Sequence, residues 1–182
     1  MEHQYRLFIA APVPAALKHQ LMHYQQHFAS EAVRFVPEQN LHLTLFFIGN
    51  VPEQALHQVI DAAQAAAAQT KAFTLTLEKA EAGPNAKKPR LVWARFNPQP
   101  EYEALVKSLQ QTLSPEPEGK QKLIPHITLA RYRKNVPAPP TFAPVVPAEP
   151  VRYPVNEIAV WQSVLKQPHP EYSILQRFPL QL

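Results

Sequence analysis

The chain has 182 residues and a formal net charge of +4, a size that suits one domain and buries a sizeable core without disulfides or a structural metal. It has no cysteine, which excludes disulfide scaffolds, thiol catalysis, iron–sulfur clusters and Cys-ligated zinc. Its 46% hydrophobic against 18% charged residues exclude a disordered chain, and 3 glycines with no G-x-G-x-x-G or Walker sequence set aside dinucleotide and P-loop chemistry.

The first residues lack the basic and apolar regions of a secretory signal, and no run of about 18 apolar residues occurs. The expectation is a soluble, cytoplasmic protein without membrane contact, whose mild positive charge favours a polyanion without naming one. Arg6 to Ala11 reads as a buried strand, and Pro12 and Pro14 introduce a helix with Leu17, Leu21, Tyr24 and Phe28 as its stripe. On that helix His19, His23 and His27 have a spacing that can chelate a metal. They fall opposite the apolar stripe with no carboxylate between them, so a solvated face is the reading and no metal is assigned.

Leu41 to Ile48 is the next strand, closed by Gly49-Asn50, and Pro52 opens an Ala-rich helix to about Gln69 with Leu56, Val59, Ile60 and Ala63 on one face. Phe73 to Leu77 and Leu91 to Phe96 alternate as strands, separated by the basic, turn-rich segment from Gly83 to Arg90. A helix carrying Tyr102, Leu105, Val106 and Leu109 follows Pro100, then a polar loop from Ser114 to Lys122 and a strand from Leu123 to Tyr132. Val136 to Pro150 is Pro-rich and extended, and Glu157 to Gln162 and Tyr172 to Phe178 are the last strands. The order, roughly βαβαβ then βαβββ, predicts an α+β fold: one domain, 1–182, of two similar lobes of mixed sheet and outer helices.

His42-Leu43-Thr44-Leu45 and His126-Ile127-Thr128-Leu129 repeat one pattern, His-x-Thr-x with apolar x, once in each half. In a strand, residues i and i+2 share a face, so each motif presents an imidazole and a hydroxyl on one side and buries its apolar residues on the other. If a pseudo-twofold axis relates the lobes, two imidazoles and two hydroxyls face each other across a cleft. That set suits in-line displacement at a phosphodiester. A neutral His deprotonates the attacking oxygen, a protonated His supplies the leaving oxygen, and the threonines hydrogen-bond the non-bridging oxygens. Histidine's ordinary pKa of about 6.5 lets one copy be base and the other acid, with no metal or cofactor required.

These motifs, with Arg6-Leu-Phe-Ile-Ala10, Asn40-Leu-His-Leu-Thr-Leu-Phe-Phe-Ile-Gly49 and Pro125-His-Ile-Thr-Leu-Ala-Arg131, resemble the 2H phosphoesterase superfamily, in particular its bacterial RNA 2′,3′-cyclic phosphodiesterase branch, historically called 2′-5′ RNA ligase. The resemblance covers essentially the whole chain. It implies a bilobal fold with the motifs on central strands, and hydrolysis of RNA 2′,3′-cyclic phosphate ends, tRNA fragments among them, to 2′-phosphomonoesters. It further implies His42 as proton donor, His126 as proton acceptor, and Thr44 and Thr128 as phosphate binders; a monomer without an obligate protein partner is the default expectation. Small cyclic phosphates as substrates, ATP-independent ligation of RNA ends, and a non-catalytic RNA-end binding module are the alternatives.

Arg131 follows the second motif, where the family often has a basic residue near phosphate, yet strict alternation would put it with Ile127 and Leu129, away from the cleft. A bulge or strand end must redirect it. Lys87, Lys88 and Arg90 are candidates to track an RNA backbone, against a solvated basic turn. Trp93 and Phe46 are candidates for base stacking, against core packing, Phe46 falling on the His42 and Thr44 face. His3, His57 and His169 have no evident partner and read as surface residues.

Overall fold

Apolar runs bounded by proline and turn residues dictate the strands, and a computed structural model describes them over residues 4–114, 123–134 and 140–182. The elements are β1 (Gln4–Pro12), α1 (Ala15–Gln26), β2 (Val33–Phe35), β3 (His42–Pro52), α2 (Leu56–Gln69), β4 (Phe73–Gly83), β5 (Leu91–Phe96), α3 (Pro100–Leu113), β6 (His126–Tyr132), β7 (Arg152–Val155), β8 (Glu157–Val164) and β9 (Glu171–Pro179). The sheet order is β7-β4-β5-β6-β3-β1-β8-β9, with β2 also on β6, and every strand pair is antiparallel. No helix among the described residues is long and apolar enough to cross a membrane.

The sheet divides into two four-strand lobes, β3-β1-β8-β9 and β6-β5-β4-β7, that meet at the pair Leu43↔Ile127. The two-lobe expectation holds, but the lobes are not the two halves of the sequence. The β4–β5 hairpin of the first half joins the lobe of the second motif, and the β8–β9 hairpin of the second half flanks β1. Neither half closes a sheet alone. α2 packs on β8, β9 and α3, α3 on β3, and α1 on β6, covering the apolar face where Leu43 and Ile127 are fully buried.

Several element boundaries differ from the sequence expectation. β3 continues through Gly49-Asn50 to Pro52, because Gly49 takes φ +91 at a bulge where Leu7 faces Gly49 and Phe8 faces Phe47. Glycine adopts that conformation without a Cβ penalty, so the strand bends instead of ending. On α2 the buried face is Val59, Ala62, Ala63, Ala66 and Ala67, with Leu56 and Ile60 only half-buried. On α1, Gln25 is buried where Tyr24 was expected. β2 is too short for its periodicity to be read, and β7 contains Pro154, which an edge strand accommodates because one side of its backbone needs no donor. β6 begins at His126, not Leu123. The polar loop lies outside the described residues from position 115 to 122, as does 135–139 of the Pro-rich region; 140–150 carries no helix or strand, with Val145 bridging to Ala80 and a bend at 148–149.

Two further bulges position the site. On β3, Ile9 faces Phe46 and Ala10 faces Thr44, so Leu45 is an extra residue. On β6, Val92 faces Ala130 and Trp93 faces Thr128, so Leu129 is extra. Each bulge follows its threonine directly and shifts the later residues onto the opposite face. The Leu129 carbonyl, left without a β5 partner, accepts from the Val36 amide at 2.8 Å and from Gln25 Nε2 at 2.8 Å. Gln25 also donates to the Val36 carbonyl at 2.9 Å and is 3% exposed. Removing that amide strands a buried acceptor, which costs about 1–3 kcal/mol. Gln25→Leu is therefore expected to lower unfolding free energy by about that amount in a denaturant titration; a change within experimental error would show that the amide does not hold the bulge.

Candidate active site

The lobes diverge on either side of the Leu43–Ile127 pair and leave a cavity of about 260 Å³ on the polar face of the sheet. His42, Thr44, His126, Thr128 and Arg131 all line it. Antiparallel pairing about Leu43 and Ile127 sets His42 across from Thr128 and Thr44 across from His126. The bulge at Leu129 supplies the redirection that Arg131 requires.

Both imidazoles are oriented in the same way. His42 Nδ1 lies 2.7 Å from the Asn40 carbonyl, and His126 Nδ1 lies 2.8 Å from the Ile124 carbonyl. A carbonyl only accepts, so Nδ1 carries the hydrogen and Nε2 is left for chemistry. Asn40 is itself buried and donates through Nδ2 to the Pro170 carbonyl at 2.8 Å, tying the first motif to the approach of β9.

The two histidines differ in surroundings. His42 is boxed by Phe8, Tyr172 and Trp161, with ring centroids at 4.9, 5.3 and 5.8 Å, and Trp161 is fixed by donation to the Ala10 carbonyl. Burial pushes the His42 pKa down to about 4, with repulsion from Arg131 and His126 adding to it. His126 has Trp93 at 4.9 Å; burial lowers its pKa too, followed by Arg131 and Arg95. Burial therefore favours the neutral form of both imidazoles.

The remaining sequence candidates separate clearly. Phe46 packs on the core and does not line the cavity; its place is taken by Phe47, which is 52% exposed and has the Arg6 guanidinium 4.9 Å from its ring centroid. The extra residue at Leu45 causes this exchange. Trp93 is buried behind His126, against Gly83. Lys87, Lys88 and Arg90 are exposed outside this cavity. His19, His23, His27 and His57 are also exposed, His27 lying 3.1 Å from the Ala143 carbonyl, and His3 is outside the described residues. His169 is not a plain surface residue: the β8–β9 turn brings it into the cavity wall, where burial and then Arg34 lower its pKa. Arg6, Arg34 and Tyr172 line the wall as well. No motif singles out Arg34, His169 or Tyr172, which strand pairing alone gathers here.

Residues 12–167 match the 2′-5′ RNA ligase superfamily. The chain is 30% identical to the RNA 2′,3′-cyclic phosphodiesterase of Escherichia coli K12, covering 99% of both chains. It is also 30% identical to that of Thermus thermophilus, over 96% of this chain and 90% of the other. Among solved structures, TT0787 of Thermus thermophilus superposes with a TM-score of 0.82 at 30% identity, over 97% of this chain and 98% of that one. E. coli LigT complexed with NADP+ gives 0.80 at 29% identity, over 99% and 100%. With the match extending across both motif strands, the chain belongs to the 2′-5′ RNA ligase superfamily, the 2H phosphoesterases.

Proposed function

We propose that this chain hydrolyses the 2′,3′-cyclic phosphate ends of RNA to 2′-phosphomonoesters. The observation that carries the reading is the pair of imidazoles, each held through Nδ1, on one cavity that also contains Thr44, Thr128 and Arg131. The names of the relatives support the same reaction and substrate. Water attacks phosphorus while the bond to the 3′ oxygen breaks. His126 Nε2 accepts the proton of the water, and protonated His42 delivers its Nε2 proton to the departing 3′ oxygen. The Thr44 and Thr128 hydroxyls donate to the non-bridging oxygens as charge develops on them, and Arg131 balances that charge. One chain contributes every group, so a monomer suffices, and a cysteine-free sequence suits a cytoplasmic enzyme.

The acid role of His42 needs a proton that the free cleft does not hold at neutral pH. The phosphodiester anion supplies the missing stabilisation: a negative charge beside a buried imidazole favours its charged form. Substrate binding and protonation of the site are thereby coupled, and the burial that lowers the pKa keeps the proton off until the anion is in place.

The defining assay incubates the protein in EDTA with an oligoribonucleotide ending in a 2′,3′-cyclic phosphate. A 2′-phosphomonoester is the expected product, at a rate unchanged by the chelator; a 3′-phosphate, or activity that returns only with added zinc or manganese, would overturn the proposal.

His42→Ala and His126→Ala are each expected to lose about 10²- to 10⁴-fold in turnover, the typical contribution of a positioned acid or base. The double variant should be little worse than the poorer single one, because the pair acts as a unit. Thr44→Val and Thr128→Val remove donors aimed at developing charge and should cost about 2.7–4 kcal/mol in kcat, as at comparable oxyanion sites, with Thr→Ser milder. Single-turnover rates on folded variants check both series.

The pH dependence has a definite sign. Since burial lowers both imidazoles in the free enzyme, the bell in kcat/KM should centre below pH 6.5, and the bell in kcat should move to higher pH because bound phosphate raises both limbs. The same shift affects folding. Between pH 6.5 and about 4 the unfolded chain protonates His42 while the folded chain does not, so stability present above pH 6.5 is lost as pH falls, by roughly 3 kcal/mol. Unfolding titrations across that window should show the loss in the wild type and less of it in His42→Ala.

A further inference from the structure

A second cavity, of about 810 Å³, opens where β2, β6 and the end of the β4–β5 loop lie side by side. Arg34, Arg90, Arg131, Arg133 and Lys134 line it, with no carboxylate among the described residues of the wall. Five of the 18 Lys and Arg residues are thus gathered on one groove, more than the whole net charge of +4. The strands enforce this crowding: Arg34 and Arg131 are cross-strand partners on β2 and β6, and the Tyr132 amide donates to the Arg90 carbonyl at 3.0 Å. Like charges placed directly opposite are destabilising. Among the described residues none of these five enters an ion pair.

The groove adjoins the catalytic cavity, with Arg34 and Arg131 lining both. That first cavity, at about 260 Å³, is below the range of about 300–1,000 Å³ usual for small-molecule sites, so a longer strand extends beyond it. Two grooves share wall residues with the cavity. The one reached past Tyr172 carries Glu157 paired to Arg177 and several prolines; the one reached past Arg34 and Arg131 presents only positive charge.

We propose that the groove of Arg34, Arg90, Arg131, Arg133 and Lys134 binds the sugar–phosphate backbone of the single RNA strand whose cyclic end occupies the catalytic cavity. The inference rests on the RNA-end reading of that cavity but assigns a separate site. Its contacts are charge to phosphate, so they carry affinity and salt dependence without base preference.

The test measures binding apart from turnover. A fluorescent single-stranded oligoribonucleotide of about eight residues with a 2′-phosphate end, the product form, is titrated by anisotropy between 50 and 200 mM KCl. For single strands each phosphate contact contributes about 0.7 to the log–log salt slope, so five contacts predict about a hundredfold loss of affinity over that range. The variant Arg90→Ala, Arg133→Ala, Lys134→Ala should lose only about tenfold. In parallel, turnover of 2′,3′-cyclic AMP, which does not reach the groove, should be unchanged in that variant, which also reports its folding. The corresponding Gln variant serves if the Ala variant misfolds. A wild-type salt slope in the triple variant would overturn the groove. Failure of the wild type to turn over 2′,3′-cyclic AMP and the cyclic-ended oligomer would instead overturn the catalytic reading, with the slope still deciding the groove.

Discussion

A strand that alternates strictly cannot place residues i, i+2 and i+5 on one face, yet the cleft requires this twice. His42, Thr44 and Phe47 line it from β3, and His126, Thr128 and Arg131 from β6. One inserted residue after each threonine makes the arrangement possible. The insertion leaves a backbone carbonyl to be satisfied, and on β6 the buried Gln25 amide and the Val36 amide do so. A helix residue remote from the chemistry thus helps fix the direction in which Arg131 leaves the strand.

The same construction yields two unlike subsites. The i+5 position is an exposed ring on β3 and a guanidinium on β6. One imidazole is enclosed by three aromatic rings and the other faces one. One motif pattern therefore yields two imidazole environments that differ in burial and in neighbouring charge. The one-sided placement of charge around Arg131 extends this asymmetry into the adjoining groove.

The motif faces were legible because a period of two depends only on neighbours in sequence. Strict alternation even exposed its own failure at Arg131, since no regular strand could bring that side chain to the cleft. What could not be read depends on pairing partners. The bulge at Leu45 exchanges Phe46 for Phe47, and its existence follows from how β1 docks against β3. His169 looked idle because its role requires β9 to return beside β8 and place the turn over the first motif. β7 was obscured by Pro154, whose lack of an amide hydrogen tells against a strand only where both edges are paired.

The interleaving of the two halves has a consequence in time. β1 is synthesised well before β8, which covers its second edge through pairs such as Phe8↔Trp161. His42 gains its Trp161 and Tyr172 neighbours from the same late segment. Contacts this distant in sequence incur a large loop-closure entropy before they form, which slows folding. A nascent chain that has already produced both His-x-Thr-x motifs still lacks a wall of the cleft. Enclosure of His42 must wait for the β8–β9 hairpin, so a chain cut short before it has the motif residues without the aromatic rings that bury the first of them.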